Sequence, residues 1–207
     1  MTGAGTRAAP GRGAGQAAPG DVAYGQAALD PLGADGAASP PGSLLRVRQA
    51  VTADRAALDQ MFGRCTPQTR YRRFHGPVKA IPGRYLTEAL AGGPFHYALV
   101  VSPGPGTGVG DDPEACDRIV ALASCRTVDE GAAELGVLIE DAWQRRGLGT
   151  RLVHDLVTHA SQAGLRVLEA QLLAEQAWIT GLLRPYGTCT RRHTRDGVLS
   201  VTLGLSR

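Results

Sequence analysis

Cysteine is scarce in this chain and badly spaced for its usual structural roles. The four, Cys65, Cys116, Cys125 and Cys189, form no C-x-x-C pair. That is not the spacing of a structural zinc site, and four are far too few for a disulfide scaffold. Reduced thiols in a cytoplasmic protein, with no bound metal, are the expectation. Long apolar runs are also missing: nothing approaches the ~20 consecutive residues of a membrane-spanning helix. The opening MTGAGTRAAPGRGAGQAAPG lacks the ~7–15-residue apolar segment of a secretory signal. Its glycines keep no period of three, which excludes collagen. Lysine is nearly absent, Lys79 standing alone beside 21 arginines.

Glycine and proline, by contrast, are abundant, with 28 and 13 residues, and they are unevenly spread. Glycine, proline and alanine make up 27 of residues 1–42, a stretch with no apolar periodicity. It has too few apolar side chains to offset ordering entropy and is expected to be a disordered leader. A short partner-binding segment is the alternative, disfavoured by the near-absence of aromatic anchors. The remaining residues, 43–207, suit one domain with a proper core. The net charge of +3 hides an alternation: −1 over residues 1–42, +6 over 43–100, −7 over 101–142 and +5 over 143–207. A general nucleic-acid binder would be basic throughout its face, so no nucleic-acid partner is expected, and no membrane.

Leu44–Arg48 alternates like a strand. A helix is predicted over Ala53–Arg64, capped by Thr52 or Asp54, with Ala57, Leu58, Met61 and Phe62 on one face. Thr66-Pro67 stops it, and the following TPQTRYRRFHG reads as a helix-to-loop segment. A second helix spans Pro82–Ala91. His96–Val101 and Arg118–Ser124 read as antiparallel strands joined by a Gly/Pro/Asp-rich excursion, Ser102–Asp117. Glu134–Glu140 is the next strand, with a bulge expected at Gly136. A strong amphipathic helix follows over Gly147–Ala163, burying Leu148, Leu152, Val153, Leu156, Val157 and Ala160, and Gly164 stops it. Val167–Leu173 is a strand and Ala177–Arg184 a short helix. Cys189–Arg195 and Val198–Leu203 form a hairpin around Asp196-Gly197. The order β-α-α-β-β-β-α-β-α-β-β describes an α/β (α+β) domain on a mainly antiparallel sheet.

The segment richest in chemistry joins the Glu134–Glu140 strand to the long helix through Gln144-Arg145-Arg146-Gly147-Leu148-Gly149. Glycines there let backbone N–H groups approach an anion closely. The helix N-terminus and the two arginines add positive charge and donors, an arrangement that suits a pyrophosphate. Gly149 has a second reading, close packing of helix on sheet. Glu140, Asp141, Asp129 and Glu130 crowd the same part of the chain. Solvation is their default role, and an acidic rim that attracts a cationic amine is the functional one. His154 and His159, five apart, do not form an i,i+4 metal pair and read as surface residues. Trp143, Trp178 and Tyr186 read as packing residues, and His75 and His96 as candidates for satisfied core groups.

Gln144–Gly149 resembles the Q/R-x-x-G-x-G/A signature of the GNAT acyltransferases, and the element order resembles the GNAT fold over residues 44–205. Thr66-Pro67-Gln68-Thr69-Arg70-Tyr71-Arg72-Arg73-Phe74 is similar to the S-P-x-S-R-Y-x-R-F segment of bacterial Pat-type protein-lysine acetyltransferases. Ala133-Glu134-Leu135 and the following D-x-W-Q-x-R-G-L-G are similar to their central strand and cofactor loop. The resemblance implies acetyl-CoA as cosubstrate, its pyrophosphate on Gln144, Arg145, Arg146, Gly147, Leu148, Gly149 and Thr150. It also implies pantetheine pairing along Val137, Leu138 and Ile139, and Glu134 as general base. A protein lysine is the implied acceptor, a small-molecule amine the alternative, and a catalytically weak acyl-CoA sensor a third reading. Monomer and homodimer both remain open. Two positions depart from the family pattern. Gln176 stands where an asparagine helps hold the cofactor, and Leu183 where many members have a tyrosine acid.

Overall fold

The computed structural model describes residues 45–93, 96–104, 118–129 and 131–206. The leader, most of the Ser102–Asp117 excursion, Leu44, Cys116 and Glu130 lie outside these. The described chain forms one seven-stranded sheet in the order β1-β2-β3-β4-β5-β7-β6. Its strands are β1 (Leu45–Gln49), β2 (His96–Pro103), β3 (Ala121–Asp129), β4 (Ala132–Ile139), β5 (Val167–Leu173), β6 (Gly187–Arg195) and β7 (Val198–Leu205). Every pairing is antiparallel except β4 with β5. The expected mixed, mainly antiparallel sheet is thus the one observed. No described helix is long and apolar enough to cross a membrane.

Helices α1 (Arg55–Arg64), α2 (Pro67–Phe74) and α3 (Gly83–Ala91) follow β1. The core under α1 and α3 joins Leu58, Met61, Phe62, Leu86 and Leu90 to Ala98, Val100, Leu122 and Leu138 of the sheet. Neither expected cap serves α1. The Asp54 carboxylate turns back to accept from the Val51 N–H at 2.8 Å and from both Arg48 terminal nitrogens at 2.7 and 2.6 Å. Helix α2 is a correction to the expected loop. Pro67 ends α1 but also starts a new helix: its missing N–H costs nothing in a first turn, and the Thr66 hydroxyl accepts from the Thr69 N–H at 3.2 Å.

The opposite face is covered by α4 (Leu148–Gln162), whose buried stripe is the expected Leu148, Leu152, Val153, Leu156, Val157 and Ala160. These pack on Leu99, Val101, Ala121, Ala123 and Ala133. The region after β5 is a short α5 (Thr180–Leu183) between two 3-10 turns. Leu183 is buried in this core. His159 is a further correction, since its ring stacks on Tyr97 with centroids 3.5 Å apart. Trp143 is buried as expected, but Trp178 is 69 % exposed and packs little. The bulge expected at Gly136 is absent: Gly136 pairs regularly with Ser124, and the register shifts instead between Thr127 and Asp129.

Leu156 is fully buried between helix and sheet. Leu156→Ala should therefore cost about 2–5 kcal/mol of unfolding free energy, read as a lower denaturation midpoint at unchanged m-value.

Candidate active site

Strands β4 and β5 pair only from Ala132↔Val167 to Leu135↔Ala170. From Gly136 onward β4 pairs with β3 alone and β5 with β7 alone. The parallel strands therefore part at Gly136, leaving the β5-facing backbone edge of Val137, Leu138 and Ile139 without a strand beside it. Val137 and Ile139 pack toward α4, and Leu138 toward α1 and α3. The N-terminus of α4 lies at the end of this opening: a Cβ on Gly149 would sit 3.6 Å from Ile139 Cδ1, an ordinary packing distance. Of the two readings of Gly149, packing against the sheet is the one this contact describes.

Gly147 caps α4 at φ +78° with no side-chain cap, and Arg145 is also left-handed at φ +57°. A glycine is required at the first of these and strain is accepted at the second. The first-turn N–H groups of Leu148, Gly149 and Thr150 have no carbonyl one turn earlier to bond. Arg146 folds its guanidinium over the Trp143 ring, 5.3 Å from the centroid. These donors, together with the parted strands, fit a pyrophosphate followed by an extended amide-bearing arm.

Gln144 sits differently from the rest of its motif. Its amide donates to Ile139 O at 2.9 Å and to the Thr69 hydroxyl at 3.1 Å. Asp141 completes this latch, accepting from the Thr66 N–H at 2.8 Å, the Thr66 hydroxyl at 2.8 Å and the Thr69 hydroxyl at 2.7 Å. Burial would raise the Asp141 carboxyl, but these hydrogen bonds outweigh it and hold it below the usual carboxylate value. The start of α2 is thereby tied to the turn that leads into the loop. Glu140 is also committed, buried between Arg64 at 2.9 Å and Arg118 at 2.6 Å. Neither acid belongs to a solvated rim, which corrects that expectation for both.

Glu134 lies on the α1–α3 face. Register aligns His96, Arg126, Glu134 and Glu169 in one row across β2, β3, β4 and β5. Arg126 donates to Glu134 Oε2 at 2.6 Å, and among the described residues no hydrogen bond reaches Oε1. Glu134 lines an open cavity of about 340 Å³ bordered by α2 and α3, alongside Arg73, Tyr85, Glu88, Ser124 and Arg126. Tyr85 shares a 2.9 Å hydrogen bond with Ser124. His96 is buried beside Tyr85, with neither ring nitrogen hydrogen-bonded, so it is not a satisfied core group. Burial first, then Arg126 and Arg73, push its pKa below the ordinary value against Glu88 and Glu134.

Gln176 lies in the 3-10 turn that follows β5, and the neighbouring Glu175 pairs with Arg72 of α2 at 3.1 Å. Tyr186 packs as expected, its hydroxyl 3.3 Å from His154 Nδ1 on α4. Arg126 and the Thr66–Asp141–Gln144 latch escaped sequence reasoning. The signal for Arg126 was present, because a tight turn at Gly131 sets residues 126 and 134 abreast.

A model of the acetyltransferase (GNAT) family matches residues 82–179. No curated protein matches significantly. Among solved structures, the GNAT domain of S. lividans PAT is similar at 19% identity and TM-score 0.63, covering 78% of this chain and 90% of that one. The yncA protein of Salmonella typhimurium, with its cofactor acetyl-CoA, is similar at 18% and 0.54, covering 79% and 95%. The ribosomal-protein-S18-alanine N-acetyltransferase of Escherichia coli is similar at 20% and 0.51, covering 79% and 95%. The architecture is the GNAT fold.

Two predictions follow from the packing of charge around this site. Removing the latch by Asp141→Ala should cost about 1–3 kcal/mol in chemical denaturation, because it leaves the Thr66 and Thr69 donors unpaired. The second concerns pH. His75, His96 and His159 all have pKa values lowered chiefly by burial. Below their ordinary value of 6.5 the unfolded chain takes up protons that the native one refuses. Stability should be complete above that pH and fall as the pH drops through it. The denaturation midpoint at pH 5 should lie below that at pH 7.5, and His96→Phe should shrink the difference.

Proposed function

We propose that this GNAT-type acyltransferase moves an acetyl group from acetyl-CoA to a primary amine by direct transfer, with Glu134 as general base. The family match over residues 82–179 and the GNAT fold support the reading of the chain as an enzyme of that class. The observation that carries the mechanism is the placement of Glu134. It faces the cavity beside the point where β4 and β5 part, so an amine entering the cavity and a thioester lying in the parted strands meet at this carboxylate.

A primary amine has an ordinary pKa of ~10.4 and arrives protonated, with no lone pair to attack a carbonyl. Glu134 takes that proton, directly or through one water. Arg126 holds Oε2 and so aims the carboxylate, leaving Oε1 as the proton acceptor. The amine nitrogen then attacks the thioester carbon, the C–N bond forms, the C–S bond breaks to release the CoA thiolate, and the second proton shed by the nitrogen passes to that thiolate or to water. A thiolate is a tolerable leaving group, since model thiols have a pKa of ~8.5. The buried Leu183 thus stands in the place of an acid that the reaction can do without.

Acetyl-CoA binding is assigned to the backbone edge of Val137, Leu138 and Ile139 and to the N–H groups and arginines of residues 145–150. Gln144 supports that loop through its latch rather than offering its side-chain amide to the ligand. Gln176 is retained as a contact at the far side of the opening. The resemblance to Pat-type enzymes favours a protein lysine as acceptor, and the charged lining of the cavity favours a small amine.

Glu134→Gln should lower turnover at pH 7 by about 10²–10⁴-fold, while acetyl-CoA still raises the melting temperature as it does for the wild type. Ligand at 100 times Kd stabilises by about 2.7 kcal/mol. Glu169→Gln, abreast of Glu134 but outside the cavity lining, should retain turnover. Full activity of Glu134→Gln across the pH range refutes the base assignment.

A further inference from the structure

The cavity in front of Glu134 contains more positive than negative charge, and one cation accounts for the excess. Arg126 is paired with Glu134 and Arg84 with Glu88. Arg73 lines the same cavity, and among the described residues no carboxylate pairs with it. Arg48 has Asp54, and Arg64 and Arg118 share Glu140, while Arg70 spends its donors on the Cys65 and Gly63 carbonyls.

Arg73 is held in place without one. Its guanidinium lies over the Phe74 and Tyr85 rings, 4.9 and 5.0 Å from their centroids. It also rests on the bare Cα of Gly136, where any Cβ would overlap it. Its five N–H donors lie in the plane of the group, and among the described residues no acid takes them. That is the disposition of a fork that receives a carboxylate edge-on. Gly136 is two residues along β4 from Glu134 on the same face of the sheet, a spacing of about 6.6 Å. The cavity therefore offers a proton acceptor for an amine and, a few bonds away, a forked donor for an anion.

We propose that the acceptor is a free amino acid, with its amine at Glu134 and its carboxylate on Arg73. This rests on the acyltransferase reading given above and narrows its acceptor. A lysine within a protein brings no anion at that distance, because its own carboxyl group is tied up as an amide.

The test uses the full chain with saturating acetyl-CoA, thiol release as readout, and the L-amino acids each paired with their primary amides, beside a lysine-bearing peptide. The amide's amine is the weaker base, so solution chemistry favours the amide at pH 7, and a preference for the acid belongs to the protein. The expected preference is about 10- to 100-fold in kcat/KM, carried by KM, the size of one charge-assisted pair. Arg73→Gln should erase it by raising KM for the acids, Arg73→Lys should retain part of it, and acetyl-CoA should stabilise both variants as it does the wild type. The proposal is overturned if amides or the peptide are used as well as acids, if no amino acid is used, or if the preference survives in Arg73→Gln. It is equally overturned if Arg73→Gln lowers kcat alike for acids and amides, which would place Arg73 at the reacting carbonyl. Failure of acetyl-CoA to stabilise the wild-type chain would overturn the acyltransferase reading itself, and thermal melts register that separately.

Discussion

The parallel pairing of β4 with β5 is the constraint on which the rest of this structure depends, because it stops after four residue pairs. A fully zipped sheet has no room for a ligand between its strands. Here the N-terminal half of β4 is bonded on both sides, while its C-terminal half keeps a partner on one side only. Gln144 takes the Ile139 carbonyl there, and backbone groups left unpaired beside a core are expensive. An extended chain of amides is the natural completion. Both elements that matter chemically sit at the ends of this opening, with Glu134 just before the strands part and the start of α4 just beyond.

Holding the opening in shape falls to polar contacts more than to the two apolar cores. Thr66 and Thr69 bind Asp141, Gln144 binds Thr69 and the end of β4, and Arg72 reaches Glu175 across from α2 to the turn after β5. On the other side Glu140 gathers Arg64 of α1 and Arg118 ahead of β3. The charge blocks along the sequence take part in these contacts. Arg64 of the basic segment meets Glu140 of the acidic one, and Arg72 meets Glu175 beyond it.

Much of the architecture was legible because it follows from periodicity. The α4 stripe, the β5 limits and the turn at Asp196-Gly197 (φ +51° and +78°) agree with the structure residue by residue. Helix α2 was not legible, since PQTRYRRF carries too few apolar residues for a stripe, and Thr66-Pro67 reads equally as a stop and a start. The bulge expected at Gly136 failed for a related reason: a glycine in a strand signals a close approach without saying whose. Glu134 and the Gly147 loop were legible through a motif. Arg126, Arg73 and the Asp141 latch depend on pairs of residues between 8 and 75 positions apart, which only the fold brings together.

Gly136 and Arg73 carry a consequence for sequence change. The guanidinium occupies the volume that a side chain at 136 would need. An alanine at 136 alone forces the long side chain to shift from its place against the two rings. A short residue at 73 alone leaves a hollow beside a bare stretch of backbone. The two positions, 63 apart in the chain, behave as one unit of variation: relatives that keep this arginine should keep the glycine, and the glycine is released from constraint only where the arginine is gone.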